Sequence, residues 1–249
     1  DTLQYTAALL SYVFGTDCVP VLLVSSDFPL EDARANGMAN FMRAVEFIKC
    51  REGRGVFVSY RNDRNEEADI YRGTRLLMHQ PYSARLYPLD GVSFHGKVCY
   101  NREASMDRME RPDGQELRLT EDAGNILWIR PCVGMTYPQA GPQVRAVLHD
   151  SYHSGTIAVN AGLEEFAGRM EQAGIPVYLT GASSGEAEYE SVRMYEQYGI
   201  RVLPKMSLIA AYCKLWLALS NDLDVNSIMN TCIAEDIIQV GNCETLKFL

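Results

Sequence analysis

Runs of apolar and polar residues divide the first 60 positions into four predicted elements. Residues 2–14 carry apolar side chains at helical spacing, and Gly15 ends this predicted helix. Residues 19–24 form a nearly continuous apolar run, which predicts a strand buried on both faces of a parallel sheet. A second helical pattern covers residues 38–48, and residues 55–60 read as the next strand. The order helix, strand, helix, strand is typical of doubly wound α/β proteins.

A polar and charged stretch at residues 101–125 separates this region from a second alternation, and we interpret it as a connection between two domains. Apolar structure resumes after it: an apolar run at 126–129, predicted strands at 144–149 and 175–179, and predicted helices at 163–170, 188–198 and 209–219. The sequence therefore predicts an α/β protein. A doubly wound, mostly parallel sheet domain would occupy residues 1–110, and a smaller α/β domain residues 122–249.

Composition and charge exclude several classes of protein. The 249 residues are 47% hydrophobic and 22% charged, as in ordinary globular proteins. The net charge of −9 and the absence of a long basic run argue against a nucleic-acid partner. No apolar stretch is long enough to span a membrane, so we expect no membrane partner. Seven scattered cysteines without a CxxC pair favour reduced thiols, and hence a cytoplasmic protein.

Common cofactor and metal motifs are missing from the sequence. It contains no GxGxxG, GxxxxGK[ST] or HExxH pattern. The four histidines share no metal-ligand spacing, and a structural or exposed role is the preferred interpretation for each. We therefore predict no cofactor and no metal site.

One longer pattern is informative. The opening run DTLQYTAALL, from Asp1 to Leu10, resembles the second signature of the asparaginase family, in which His-Gly-Thr-Asp-Thr leads into a helix. Further resemblances follow in order along almost the whole chain: residues 20–29, 32–40 with 44–48, 72–75, 87–89, 152–156 and 206–215. The pattern looks most like the cytoplasmic-type bacterial branch. On this basis, residues 1–110 would be the C-terminal part of the family's N-terminal domain, and residues 122–249 its C-terminal domain.

This resemblance implies an amidohydrolase that converts asparagine to aspartate and ammonia. The family uses two threonines, an Asp and a Lys. One threonine attacks the amide and forms an acyl-enzyme, and the other works with the Lys as a proton relay. A threonine hydroxyl is a weak nucleophile that needs a base, and an amine serves as base only when its pKa is lowered. Asp1 corresponds to the family Asp, which binds the α-ammonium group of the substrate.

The sequence departs from the family pattern at two points. Both threonines would precede Asp1, so we expect them, with the first strands of the sheet, in an upstream segment of the same or another chain. The position that matches the Lys is Arg75, with Met78 or Thr74 as other possible counterparts. Arginine stays protonated, so Arg75 can hold charge or orient a threonine but cannot shuttle a proton.

The remaining candidates lie on loops. Ser26 and Asp27 follow a predicted strand at its carboxyl end, where α/β sheets bind ligands, although turn and cap roles compete with this interpretation. Ser154 and Thr156 lie in a glycine-containing loop that, in the family, helps to build a neighbouring subunit's site; a plain turn is the alternative.

We thus predict Asp1 and Arg75 as catalytic residues. Asp1 would also bind substrate, together with Ser26, Asp27, Ser154 and Thr156. A helix cap remains the alternative role for Asp1, and an ordinary ion pair that for Arg75.

Three functions fit these observations. The first is an asparaginase-like amidohydrolase that acts on a small amino-acid amide as a homodimer or homotetramer. The second is a catalytically inactive relative that binds an amino acid and regulates a partner. The third is an amidotransferase subunit for mischarged tRNA, which the acidic balance of the chain disfavours.

Overall fold

The computed structural model describes residues 2–51, 53–89, 105–121, 125–182 and 190–238. These residues form an α/β structure with a small mixed sheet in the first part of the chain and a four-stranded parallel sheet in the second. The predicted α/β fold class is confirmed. The predicted domain boundaries at 110 and 122 stay a prediction.

The first part of the chain alternates helices and strands as predicted. It contains α1 (Leu3–Phe14), β1 (Val21–Val24), α2 (Gly37–Cys50), β2 (Val56–Tyr60) and β3 (Asp69–Arg72), followed by a 3₁₀ turn at Gly73–Arg75. The sheet order is β1-β2-β3, with β1 parallel and β3 antiparallel to β2.

The prediction that β1 is buried on both faces is wrong. Its residues Val21 to Leu23 are only partly buried and Val24 is exposed, whereas every residue of β2 is buried. The reason is position in the sheet: β2 lies between two described strands, while β1 pairs with β2 alone among the described residues.

The second part contains the predicted alternation of strands and helices, and the strands of its main sheet are parallel. Its elements are β4 (Ser105–Met106), β5 (Ile126–Ile129), β6 (Ala146–His149), α3 (Ala161–Gln172), β7 (Val177–Leu179), α4 (Glu190–Gln197), β8 (Ile200–Val202), α5 (Leu208–Ser220), α6 (Val225–Asn230) and β9 (Cys232–Ile233). The main sheet has the order β5-β6-β7-β8, and β4 pairs in parallel with β9.

Helices cover both faces of this parallel sheet. On one face, Phe166 of α3 packs with Val147 of β6. On the other, Leu215 of α5 packs with Leu148 of the same strand. Because successive strand residues point to opposite faces, the fully buried strand β6 contributes to both cores.

α1 joins the two parts of the chain. Tyr12 of α1 packs in one cluster with Ala210 and Leu217 of α5 and with Met109, from the predicted connecting stretch. From residue 107 to residue 121, that stretch contains neither helix nor strand. No helix in the described part of the chain is long and apolar enough to cross a membrane.

Candidate active site

The 3₁₀ turn after β3 is bound to a segment near the end of the described chain. The buried Thr74 hydroxyl donates to the carbonyl oxygen of Ala234 at 3.0 Å. Arg75 is only 4% exposed, and its Nε donates to the carbonyl of Glu235 at 2.9 Å. Residues separated by 160 positions thus form one hydrogen-bonded junction.

Ala234 and Glu235 receive these bonds in an unusual backbone conformation. Their φ angles are 50° and 59°, in the left-handed region that side-chain-bearing residues seldom adopt. Arg72 fixes Glu235, because the Arg72 guanidinium lies 2.9 Å from the Glu235 carboxylate. The junction therefore combines charge pairing with backbone strain, a combination found at functional sites.

A second buried network lies beside this junction. Lys214 Nζ of α5 lies 2.7 Å from Asp236 Oδ2, and both side chains are fully buried. Lys214 also donates to the carbonyl of Thr231, and Asp236 Oδ1 accepts the backbone N–H of Ile233 at 2.9 Å. These bonds satisfy both charges and fix the segment that carries Glu235.

Tyr12 connects α1 to the same network. Its hydroxyl lies 2.9 Å from Asp236 Oδ2. Burial, and next the Asp236 charge, raise the pKa of Tyr12 well above its usual value, so the phenol remains a neutral donor. The helix that begins two residues after Asp1 is thereby anchored to the segment that holds Arg75.

Of the two residues predicted as catalytic, Asp1 lies outside the described residues. Arg75 lies in the junction, with its Nε directed at a backbone carbonyl. Its predicted catalytic role stays a prediction.

Ser26 and Asp27 lie at the carboxyl end of β1, as predicted, and both bind the start of α2. Ser26 Oγ accepts the Gly37 N–H at 3.2 Å, and Asp27 Oδ1 accepts the Asn36 N–H at 2.9 Å. The Asp27 N–H donates in return to Asn36 Oδ1 at 3.0 Å. These bonds support the capping interpretation, and a substrate-binding role stays a prediction.

Ser154 and Thr156 lie on the loop after β6, with their hydroxyl oxygens 2.9 Å apart. The backbone N–H of Tyr152 closes this turn on the Thr156 carbonyl at 2.8 Å. Gly155 is needed here, since its φ is +77° and an added Cβ would lie 2.9 Å from the Gly181 carbonyl oxygen. The candidates within the described residues therefore lie in three separate hydrogen-bonded groups: Arg75, Ser26 with Asp27, and Ser154 with Thr156.

The sequence interpretation missed the Lys214–Asp236 pair. Lys214 did carry a signal, because it is the only charged residue in α5, whose other residues are almost all apolar. A charge at such a position predicts a buried partner. Nothing local pointed to Asp236 as that partner.

Comparison with known families supports the resemblance seen in the sequence. Residues 1–85, which include α1, the first sheet and the 3₁₀ turn, match the family model for the asparaginase N-terminal domain. Residues 1–85 therefore resemble the N-terminal domain of the asparaginase family. The resemblance of the opening signature is thereby confirmed. A comparison with curated proteins gives no match.

Solved structures extend the likeness over almost the whole chain. L-asparaginase I from Vibrio cholerae superposes with a TM-score of 0.69 at 20% identity, covering 96% of this chain and 74% of that one. The thermostable L-asparaginase from Thermococcus kodakarensis gives 0.67 at 22% identity, with the same coverages. A probable cytoplasmic L-asparaginase from Campylobacter jejuni gives 0.62 at 16% identity, with coverages of 92% and 71%. The chain has the asparaginase fold.

Proposed function

We propose that this protein hydrolyses the side-chain amide of L-asparagine, giving L-aspartate and ammonia. Direct contact between α1 and the 3₁₀ turn carries the proposal. An added Cβ at Gly73 would lie 2.8 Å from the Ala7 carbonyl oxygen, so the two elements touch backbone to backbone. These are the helix of the family signature and the turn that resembles the family's Arg-x-Thr-Lys segment.

The reaction proceeds in two steps. A threonine hydroxyl from the segment preceding Asp1 attacks the amide carbonyl, its proton passes to the leaving nitrogen, and ammonia departs from an acyl-enzyme. Water then cleaves the ester, releases aspartate and restores the hydroxyl. Asp1 binds the α-ammonium group by a charge-assisted hydrogen bond, which selects amino-acid substrates. Ser26, Asp27, Ser154 and Thr156 are further substrate contacts in this proposal, and homo-oligomeric assembly in the cytoplasm belongs to it.

One observation favours a second function. Arg75, in the position that resembles the family Lys, is buried and donates its Nε to the Glu235 carbonyl. A permanently protonated guanidinium in this setting orients neighbours but does not move protons. A protein with this site would bind an amino acid without turning it over, and would act as a regulatory relative.

Ammonia release and calorimetry on the full-length protein, with any residues that precede Asp1, separate the two functions. Equal amounts of ammonia and aspartate from L-asparagine establish hydrolysis. Heat of binding without turnover identifies the regulatory relative. If Arg75 is the residue that prevents catalysis, Arg75→Lys would then produce turnover. A folded protein that neither binds nor hydrolyses asparagine or glutamine overturns both.

A further inference from the structure

Helix α2 carries apolar side chains on two faces. One face packs on the first sheet, where the ring of Phe47 lies 4.9 Å from that of Phe57 in β2. A second apolar stripe is displaced around the helix axis and recurs at intervals of three and four residues. Its members are Met38, Phe41, Met42, Val45 and Ile48. An amphipathic surface helix needs only the first of these faces, so the second requires another explanation.

The second stripe is exposed over most of its length. Four of its large side chains are 45–63% exposed: Met38, Phe41, Met42 and Ile48. Leu30 extends the stripe past the start of the helix, because its Cδ2 lies against Gly37 and its side chain is also exposed. Single apolar residues are ordinary on a protein surface, whereas a contiguous exposed stripe marks an interaction site. We call Leu30 and the five helical residues the α2 stripe.

The size of the α2 stripe matches one half of a small protein–protein interface. A large apolar side chain presents on the order of 150–250 Å² when fully exposed, so five that are about half exposed present roughly 500 Å². Pairing two copies of the stripe would therefore bury roughly 1,000 Å² in total, which reaches the lower limit for a specific interface. A second copy of the chain is thus large enough to cover it.

The spacing within the stripe suits a second copy of the same helix. Met38, Phe41, Val45 and Ile48 are separated by intervals of three, four and three residues. These intervals are typical of the seam between two packed helices. They also read the same in both directions, so two antiparallel copies present matching positions to each other. A two-fold symmetric dimer requires this self-complementarity.

Charges at the two ends of α2 favour the antiparallel direction. The exposed Glu31 lies before the helix, next to an Asp32 that pairs with Arg34 at 2.7 Å. The exposed Lys49 and Arg51 lie at the other end. An antiparallel pair brings the acidic end of one copy to the basic end of the other, at both ends of the seam. A parallel pair would place like charges together.

We propose that two copies of this chain associate through the α2 stripe, in an antiparallel arrangement about a two-fold axis near the middle of the helix. Phe41 of one protomer then packs against Val45 of the partner subunit, and Lys49 faces Glu31 of the partner subunit. This surface serves the homo-oligomer that belongs to the proposed function, and it does not depend on the proposed reaction.

Sedimentation equilibrium of the full-length protein at several concentrations measures the association. Phe41→Asp places a charge in the seam, and we expect it to weaken dimerisation by about 30-fold or more. Val133→Asp is the matched control, because Val133 is 97% exposed and lies outside the stripe, and its dimerisation should equal that of the wild type. Thermal unfolding verifies that each variant folds.

An exchange of charges tests the identity and the direction of the partner. Lys49→Glu should weaken dimerisation by about 3- to 10-fold, because it places acids opposite each other at both ends of the seam. Combining it with Glu31→Lys should restore dimerisation. Recovery in this double variant supports a second, antiparallel copy, whereas no recovery overturns the antiparallel arrangement.

Two further results would overturn the proposal. One is a wild type that stays monomeric at all concentrations, or whose association Phe41→Asp does not weaken. The other is a Phe41→Asp variant that loses unfolding free energy equally at every protein concentration, since the stripe is then covered by another part of the same chain. Asparagine hydrolysis by such a protein would leave the proposed function intact.

Discussion

Lys214 and Asp236 form an ion pair with 2.7 Å between Nζ and Oδ2, and neither side chain is exposed to solvent. The pair links α5 to the segment whose carbonyls bind Thr74 and Arg75. Tyr12 extends it to α1. The residues that present the candidate site are therefore held in place in part by a fully buried charge pair.

Removing one partner of this pair should destabilise the fold. Lys214→Met leaves the Asp236 carboxylate buried without its counter-charge, and we expect a loss of about 3–5 kcal/mol in the free energy of unfolding. Urea denaturation measures it. Arg169→Met is the control, because Arg169 forms an exposed i,i+4 pair with Glu165, and its loss should stay below about 1 kcal/mol. Equal losses in the two variants would contradict the role given to the buried pair.

Contact between α1 and the 3₁₀ turn requires glycine at position 73. The Cβ of Gly73→Ala would lie 2.5 Å from Ser11 Oγ and 2.8 Å from the Ala7 carbonyl, so we expect a loss of about 1–3 kcal/mol. Gly168→Ala in α3 is the control, since nothing lies within 4 Å of the added Cβ. That helical substitution should stabilise the protein by up to about 1 kcal/mol. Thermal unfolding measures both effects. A Gly73→Ala variant as stable as the wild type would contradict the close approach.

His149 should make stability sensitive to acid. It is fully buried, and its Nε2 has no hydrogen-bond partner in the described part of the structure. Burial lowers the pKa of His149, so below about pH 6.5 the unfolded chain binds a proton that the folded one does not. Stability therefore falls as the pH drops through this range, until the folded histidine is protonated as well.

The comparison of His149→Gln with His153→Gln tests whether His149 causes the acid sensitivity of the fold. His153 is exposed and serves as the control. Between pH 7.5 and pH 5, unfolding free energies should fall less steeply for His149→Gln than for the wild type, and His153→Gln should follow the wild type. Identical slopes in all three proteins would assign the acid sensitivity to other groups.

Asp1 is expected to contribute to substrate affinity. Asp1→Asn removes the charge that would bind the α-ammonium group, so the KM for L-asparagine should rise about 10- to 100-fold. Asp17→Asn is the control, since Asp17 pairs with Arg54 on the surface. Steady-state kinetics on both variants decide the matter: an unchanged KM for Asp1→Asn would leave Asp1 with the helix-capping role.

Long apolar patterns were sufficient to predict the main elements from the sequence. α1, α2, α3 and α5 all lie where helical spacing placed them, because each buries an apolar face over at least three turns. Strands β3, β4, β8 and β9 were not predicted. They are two to four residues long, which is too short to show a period. In addition, β4 and β9 pair with each other although they lie far apart in the sequence, with Ser105 opposite Cys232.

In the candidate site, too, local patterns could be predicted from the sequence, whereas contacts between distant segments could not. The family signature at Asp1 to Leu10 could be read locally, and so could the positions of Ser26 and Asp27 at the end of β1. The left-handed backbone at Ala234 and Glu235, and the bonds they accept from Thr74 and Arg75, depend on tertiary packing. Sequence patterns carry no signal for such contacts.

Conversion of L-asparagine labelled at its side-chain amide nitrogen is the most direct test of asparaginase activity. Nuclear magnetic resonance on the full-length folded protein would follow labelled ammonium and aspartate together. We expect both products to grow at equal rates and the α-nitrogen to stay in aspartate. Failure of a correctly folded protein to release labelled ammonium from asparagine would contradict the assignment as an amidohydrolase.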